Sequence, residues 1–491
     1  MGLTFTRRPV VLPLVAVLAL PAAHLAARDP AGAAAHPGPA AYREVPDDPF
    51  VPVPIDRRVT RPARTWKVGR GLSVQVNVAP GGANIVGDAA NEPSIAVDPT
   101  NPSRLAIGWR QFDTVASNFR QAGRAYSTDG GSTWIFPGVI EPGVFRSDPV
   151  LDVSAEGTFY YDSLAGDFSC WVHTSSDHGA TWGPGVDAYG SDKQWLTVDR
   201  TDGSGRGHLY QNWSPFTAAT FNRSTDGGAS FEPPVAVPEE PYWGTSTVAP
   251  DGAVYVAGLA SFSSGIAVVR SSNAQNPGAP VGFDQTVVVN LGGEPTGWGG
   301  PNPDGLLGQV WIASDHSDGP TRGNLYLLAS VDPAGTDPLD VHFARSTDDG
   351  ATWSAPVRVN DDPVGSNAWQ WFGTMSVAPD GRIDVIWNDT RNDPGGFDSE
   401  LTYAYSTDGG ATWSANEVLS PPFDPHLGWP QQNKLGDYSD MVSDATGVHI
   451  AYAATFNGEQ DVYYLHLDPP VLFADGFESG GTDRWSAVIP E

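Results

Sequence analysis

The 491-residue sequence predicts an all-β chain of four-stranded modules closed into a ring, a β-propeller, and three observations carry that expectation. A short phrase, Ser-x-Asp-x-Gly-x-Thr-Trp, returns five times at a period of roughly fifty residues, the mark of a repeat architecture. Around each copy, short apolar runs alternate with the period of two that strands require. The 56 glycines, 44 prolines and 11% aromatic residues suit many short strands joined by turns, not long helices.

Taken in order, residues 1–27 read as an export signal, with Arg7-Arg8, an apolar run from Val10 to Ala23, and small residues after it. Residues 28–71 are rich in Ala, Pro and Arg and show no periodicity, which predicts a linker. Leu72 to Val78 then alternates as one isolated strand. From Asn91 a module begins, with first strand Ser94–Asp98, second strand Leu105–Trp109 and third strand Gly123–Tyr126 running into the repeated phrase. First strands return at Val150–Val153, Trp195–Val198, Thr245–Val248, Trp311–Ala313, Thr374–Val377 and Met441–Ser443. The count is seven modules, with six blades as the alternative. The last module lacks a fourth strand, and the isolated strand at 72–78 can supply it and close the ring, leaving no open sheet edge. The propeller thus spans 72–468, and residues 469–491, with Asp475-Gly476-Phe477-Glu478-Ser479-Gly480, form a tail too short for a domain.

The repeated phrase is hairpin chemistry. In Ser127-Thr128-Asp129-Gly130-Gly131-Ser132-Thr133-Trp134 the Asp accepts backbone N–H bonds across the turn, glycine supplies positive φ, and Trp folds back as an apolar plug. Copies stand at 175–182, 224–231, 346–353 and 406–413. The phrase builds scaffold, and the chemistry is expected in the loops that lead into the first strands and join second to third.

A formal charge of −30 argues against nucleic acid as a partner, because that needs a basic footprint, and against an anionic membrane. No stretch after the signal is long and apolar enough to span a bilayer. The lone Cys170 excludes an intramolecular disulfide framework and a cysteine zinc site. The expected protein is a secreted monomer with no cofactor and no metal site, calcium in the Asp-rich loops being the alternative.

The phrase is the Asp-box, or bacterial neuraminidase repeat, and over residues 72–467 the chain resembles the sialidase superfamily of β-propellers. Asn91-Glu92-Pro93-Ser94-Ile95-Ala96-Val97-Asp98-Pro99 and Gly308-Gln309-Val310-Trp311 further resemble secreted bacterial sialidase-like proteins. The resemblance implies a site at the propeller mouth. Retaining sialidases hold the substrate carboxylate with three arginines and use a Tyr nucleophile activated by a Glu, with an Asp as acid/base. By loop placement Arg110, Arg146 and Arg391 stand for the arginines, Tyr438 for the nucleophile and Asp148 for the acid/base. Glu92 and Asp192 are the other candidate catalytic carboxylates, and Asp389 and Trp371 join the substrate-binding set. Lys193 and Asp437 lie in the same loops. No Arg-Ile-Pro motif precedes the first box, and Phe145-Arg146-Ser147-Asp148-Pro149 echoes it only in part. The expectation is a sialidase-like glycoside hydrolase acting on extracellular glycans or glycoproteins, or one using the pair Asp148 and Asp192. The alternative is a non-catalytic propeller that binds glycan or protein at the same mouth.

Overall fold

The computed structural model describes residues 48–53 and 58–470, so the expected export signal, most of the linker and the tail beyond 470 lie outside the described residues. Within them the chain is all-β and propeller-like, built of antiparallel sheets in chain order. The second sheet runs Ser147–Val153, Phe159–Leu164, Cys170–Ser175 and Val186–Asp187, each strand paired with the next. The sheets starting at Ser246–Val248, Trp311–Ser314 and Gln370–Val377 follow the same plan. The first strands Ala89–Val97, Ser147–Val153, Trp195–Val198, Ser246–Val248, Trp311–Ser314, Gln370–Val377 and Asp440–Asp444 each lie against the next, and the last lies against the first.

The isolated N-terminal strand pairs where the repeat pattern places it. Gly71–Gln75 runs antiparallel to Asp461–Leu467, with Ser73 opposite Leu465 and Gln75 opposite Tyr463. The linker expectation needs correcting at its end. Thr65–Val68 and Gly71–Gln75 form a hairpin, and Thr60–Pro62 pairs with Ala83–Ile85. The Thr-Trp-Lys-Val run is a strand because Trp66 has a ring to pack on, Phe456 at 5.7 Å. Two of the seven repeat sheets also fall short of four strands. In the first, the expected fourth strand is a single bridge from Tyr126 to Ile135, and in the third a bridge from Phe221 to Val235. Pro137 follows the first bridge and Pro233-Pro234 precede the second, and proline has no N–H to extend a ladder.

All five boxes share one hydrogen-bond pattern. In the first, Ser127 Oγ donates to Asp129 Oδ1 at 2.8 Å, and Gly131 N donates to Ser127 Oγ at 2.9 Å. Thr133 N and Oγ1 donate to the two Asp129 oxygens at 2.9 and 2.6 Å. Asp177, Asp226, Asp348 and Asp408 repeat these bonds. Burial works to raise the Asp408 carboxyl, yet the Thr412 hydroxyl and backbone N–H bring it down to about 2. The box carboxylates are thus occupied by their own turns. The boxes also fasten neighbouring sheets. Arg124 of the first sheet donates to Ala180 O in the second box at 2.8 Å, and Arg345 of the fifth donates to Gly409 O in the sixth sheet's box at 2.9 Å.

Buried carboxyls set the pH response of the whole fold. Burial lifts Asp162, Asp440 and Asp461 each to about 7. Asp440 holds the last first-strand to the first one, accepting from Ser94 Oγ at 2.7 Å and Ile95 N at 3.0 Å. Unfolded, each of these groups releases its proton near pH 4, whereas folded it keeps it to about pH 7, so the stabilisation is present below pH 4 and lost as pH rises through 7. Below pH 4 the box aspartates act in the opposite direction. The melting temperature is therefore expected to fall by about 5 °C or more between pH 5 and 8, with a flatter slope in Asp440→Asn. Calorimetry across that range checks it, and a melting temperature that rises with pH would contradict it.

Candidate functional site

The first strands converge at the ends where the chain enters them, and those ends share an unusual backbone. Glu92, Asp148, Lys193, Trp243 and Phe372 open five of these strands at φ between 48° and 60°. Two of them, Glu92 and Phe372, sit in register shifts of their strands, between Asn91 and Ser94 and between Trp371 and Thr374. A non-glycine residue in this region is strained, and repetition at the same structural position means that the fold holds it there. Three of the five, Glu92, Asp148 and Lys193, carry charge.

Lys193 is the centre of the resulting cluster. Its Nζ lies 2.8 Å from Asp148 Oδ2, 2.6 Å from Asp437 Oδ2 and 3.6 Å from Asp192 Oδ1. Asp192 adjoins Lys193 ahead of the third sheet, Asp148 lies in the second sheet, and Asp437 precedes the last, so the Asp437 contact joins sheets that are not sequence neighbours. Asp437 also receives Lys434 Nζ at 2.7 Å and Leu306 N at 2.8 Å. Arg110 Nε donates to Asn91 Oδ1 at 2.8 Å and lies 3.1 Å from Glu92 Oε2. Ser147 Oγ donates to Asp148 Oδ1 at 2.6 Å, and Arg120 Nε donates to that Ser147 hydroxyl at 3.1 Å. Gln194 Nε2 donates to the Asp148 carbonyl.

Three carboxyls of this cluster are driven apart electrostatically. Burial pushes Glu92 up to about 8, with Asp437 and Asp148 adding to the shift against Arg110 and Lys434, whereas Lys193 and Lys434 hold Asp437 well below the usual carboxylate range against its burial. Burial works against the Asp148 charge, but Lys193 and Arg110 hold it far below the usual carboxylate range. Burial raises Asp192 to about 6, despite Lys193. Asp192 keeps 24% of its side chain exposed, against 2% for Asp148 and Asp437, so it is the carboxyl that meets solvent. An ionised carboxylate beside one that keeps its proton up to about pH 6 is the division of labour that acid/base chemistry needs.

Of the residues expected from sequence, Asp148, Asp192, Glu92, Arg110 and Tyr438 come together here. Tyr438 does so as a buried phenol: its Oη donates to Pro149 O at 2.8 Å, and its ring meets Trp195 edge-on at 6.0 Å. Burial, then Glu92 and Asp148, push its hydroxyl well above the usual range, the reverse of what a nucleophile requires. The other two arginines have carboxylate partners outside this cluster. Arg146 forks onto Glu141 at 2.6 and 3.1 Å and sits over the Trp171 ring. Arg391 pairs with Asp389 at 2.8 Å and Asp361 at 2.5 Å. Asp389 accepts in addition from Trp387 Nε1 at 2.7 Å, and Trp371 is wholly buried with its Nε1 donating to Ser399 Oγ. Arg146 and Arg391 are thus each paired with carboxylates of their own, Glu141 for the first and Asp389 with Asp361 for the second.

Lys434 is the functional residue that sequence reasoning passes over. A signal for it exists. The chain has only three lysines, Lys67, Lys193 and Lys434, and two of them are nearly buried in this one cluster.

Comparison with known proteins agrees with the repeat. The family described as BNR/Asp-box repeat matches residues 404–415, within the sixth sheet, and the four other turns carry the same bonds. The chain therefore carries BNR/Asp-box repeats. A xyloglucanase from Paenibacillus sp. is 26% identical to the Asp-box protein over 415 residues, which cover 73% of this chain and 36% of that enzyme. The Asp-box protein thus matches little more than a third of that relative's length. Among solved structures, a fungal alcohol oxidase crystallised with copper superposes with a TM-score of 0.50 at 12% identity, covering 85% of this chain and 78% of that one. A Hadza microbial sialidase gives a TM-score of 0.41 at 14% identity, covering 77% and 65%.

Proposed function

We propose that this chain is a secreted glycoside hydrolase acting on extracellular glycans, working from a seven-bladed ring whose N-terminal strand completes the last blade. The ring reading is supported by the seven first strands lying each against the next and the last against the first. The hydrolase reading rests on one observation: Asp192, near 6 and partly exposed, stands beside Asp148, which stays ionised. In this reading Asp192 donates its proton to the leaving glycosidic oxygen as the C–O bond breaks, the Asp148 charge stabilises the sugar cation, and a water adds to the anomeric carbon and returns a proton to Asp192. Arg110 and Lys434 keep Glu92 and Asp437 in place. The two-carboxylate scheme is preferred over a tyrosine nucleophile because Tyr438 is buried and spent on Pro149 O. Similarity to a xyloglucanase supports carbohydrate as the substrate class.

A specific observation favours a second reading, a non-catalytic glycan-binding propeller. Asp148, Asp437 and Glu92 already have cationic partners in Lys193, Lys434 and Arg110. Incubating the purified chain with a panel of glycans separates the two. New reducing ends support hydrolysis, whereas retention of a glycan with none released supports the binder.

A further inference from the structure

We propose that the hairpin carrying Trp298, together with Trp243, forms an aromatic platform that stacks the sugar rings of a neutral polysaccharide chain alongside the charged cluster. This deepens the carbohydrate reading above and rests on it, adding where the chain lies and that it is uncharged.

The hairpin pairs Gly297–Gly299 with Asn302–Leu306, and no repeat pattern in the sequence calls for it. Trp298 stands in the run Gly297-Trp298-Gly299-Gly300 at φ 58°, with 44% of its surface exposed. That backbone favours glycine, and three glycines surround it, so folding alone does not ask for tryptophan here. A bulky ring held strained and open to solvent is kept for something outside the chain. Trp243 meets it edge to face at 5.4 Å, and Tyr242 continues the row at 5.1 Å from Trp243. Trp243 itself opens the fourth sheet's first strand at φ 52°.

The platform is joined to the cluster through backbone. Asn302 Nδ2 donates to Gly436 O at 2.8 Å, Leu435 N donates to Asn302 Oδ1 at 2.8 Å, and Leu306 N donates to Asp437 itself. On the far flank, the Trp369 ring lies against Gly300, and His426 Nε2 meets Gly300 O at 3.2 Å beside Trp429. Partly exposed rings therefore line both flanks of one hairpin that reaches Asp437.

The charge of the surroundings selects the ligand. Asp304 lies on the hairpin, and Asp424, Asp398 and Asp393 lie near the far flank, where Asp393 and Asp424 help burial to raise Asp398. With a formal −30 on the whole chain, a polyanion is repelled, whereas carboxylates accept hydrogen bonds well from the hydroxyls of a neutral sugar. Flat apolar faces of pyranose rings match indole, so a neutral chain satisfies both features.

Affinity electrophoresis in gels holding xyloglucan, mixed-linkage β-glucan or galactomannan, with polygalacturonate and polysialic acid as acidic controls, tests this. The mature chain should be retarded by at least one neutral polymer and by neither acidic one. Trp298→Gly should weaken that retention about tenfold with no fall in melting temperature, since glycine relieves the strained φ, and Trp298→Phe should retain most of it. Retention without release of reducing ends would leave the platform standing and remove the hydrolase. Hydrolysis of a neutral polymer with KM unchanged in Trp298→Gly would do the reverse. Retardation by the acidic polymers, or by none of them, would overturn the proposal and leave a protein as the occupant.

Discussion

Lys193→Met is expected to destabilise the protein by about 3–5 kcal/mol, the largest effect of any single side-chain change in the cluster. The ammonium is shared by Asp148 and Asp437 at 2.8 and 2.6 Å, with Asp192 at 3.6 Å. Burial works against its charge, but the three carboxylates together raise its pKa well above the usual lysine value. Removing the cation leaves two almost wholly buried carboxylates, which then either stay charged in a poorly solvating site or take up protons. Both routes cost stability, and the second predicts that Asp148 titrates upward into the accessible range. Asp148→Asn added to Lys193→Met should return part of the loss. Lys193→Arg should not replace the lysine, because a planar fork cannot sit where a point charge meets carboxylates from three sheets. Denaturant unfolding of the four proteins checks this. A loss below about 1 kcal/mol in Lys193→Met would show that the cluster is solvated and not a buried network.

The second large effect is at the seam between the first and last sheets. Gly131 stands in the first box at φ 83°, and a Cβ there would come within 2.0 Å of the Tyr464 ring on the last sheet. Tyr464 has little room to move. Its ring meets Trp134 at 5.3 Å, and its hydroxyl is bonded to His449 Nδ1 at 2.8 Å. Gly131→Ala should therefore cost about 3 kcal/mol or more, the sum of backbone strain and overpacking. The adjacent Gly130 supplies the control. It has φ 71° with open space where a Cβ would go, so Gly130→Ala should cost only the backbone strain of about 1–2 kcal/mol. The difference between the two variants measures the contact between first and last sheets, and equal losses would mean that the seam does not carry load.

Much of the scaffold is legible in the sequence, because it rests on local properties. A period of two, an Asp four residues before a Thr, and glycine where φ must be positive are visible without knowing any partner. The pairing of Gly71–Gln75 with Asp461–Leu467 is readable for a related reason, since the last module is short of a strand and the N-terminus has one to spare. The missing fourth strands of the first and third sheets were also written in Pro137 and Pro233-Pro234, although the repeat pattern outweighs them on a first reading.

The site is less legible because it depends on which partner takes each charge. Loop position brings Glu92, Asp148, Asp192 and Arg110 together in space, since all follow from where the first strands begin and the second strands end. Position says nothing of competitors. Arg146 is captured by Glu141, five residues before it, in a turn closed by Val144 N donating to Glu141 O. Arg391 is captured by Asp361, which reaches it from the preceding sheet's last loop. Trp371 looks like a mouth aromatic, but the register shift after it turns its ring into the core. Trp298 escapes notice because it belongs to an inserted hairpin outside the repeat.

The measurement that bears most directly on this account is reducing-end release from neutral glycans by the wild-type chain beside Asp192→Asn and Asp148→Asn. With the proton donor at about 6, kcat/KM should fall as pH rises through that value, because the protonated form is the active one. Each variant should lose about a hundredfold or more in kcat while remaining folded by circular dichroism. Activity that persists in both variants, or that rises with pH above 6, would contradict the assignment of chemistry to this pair.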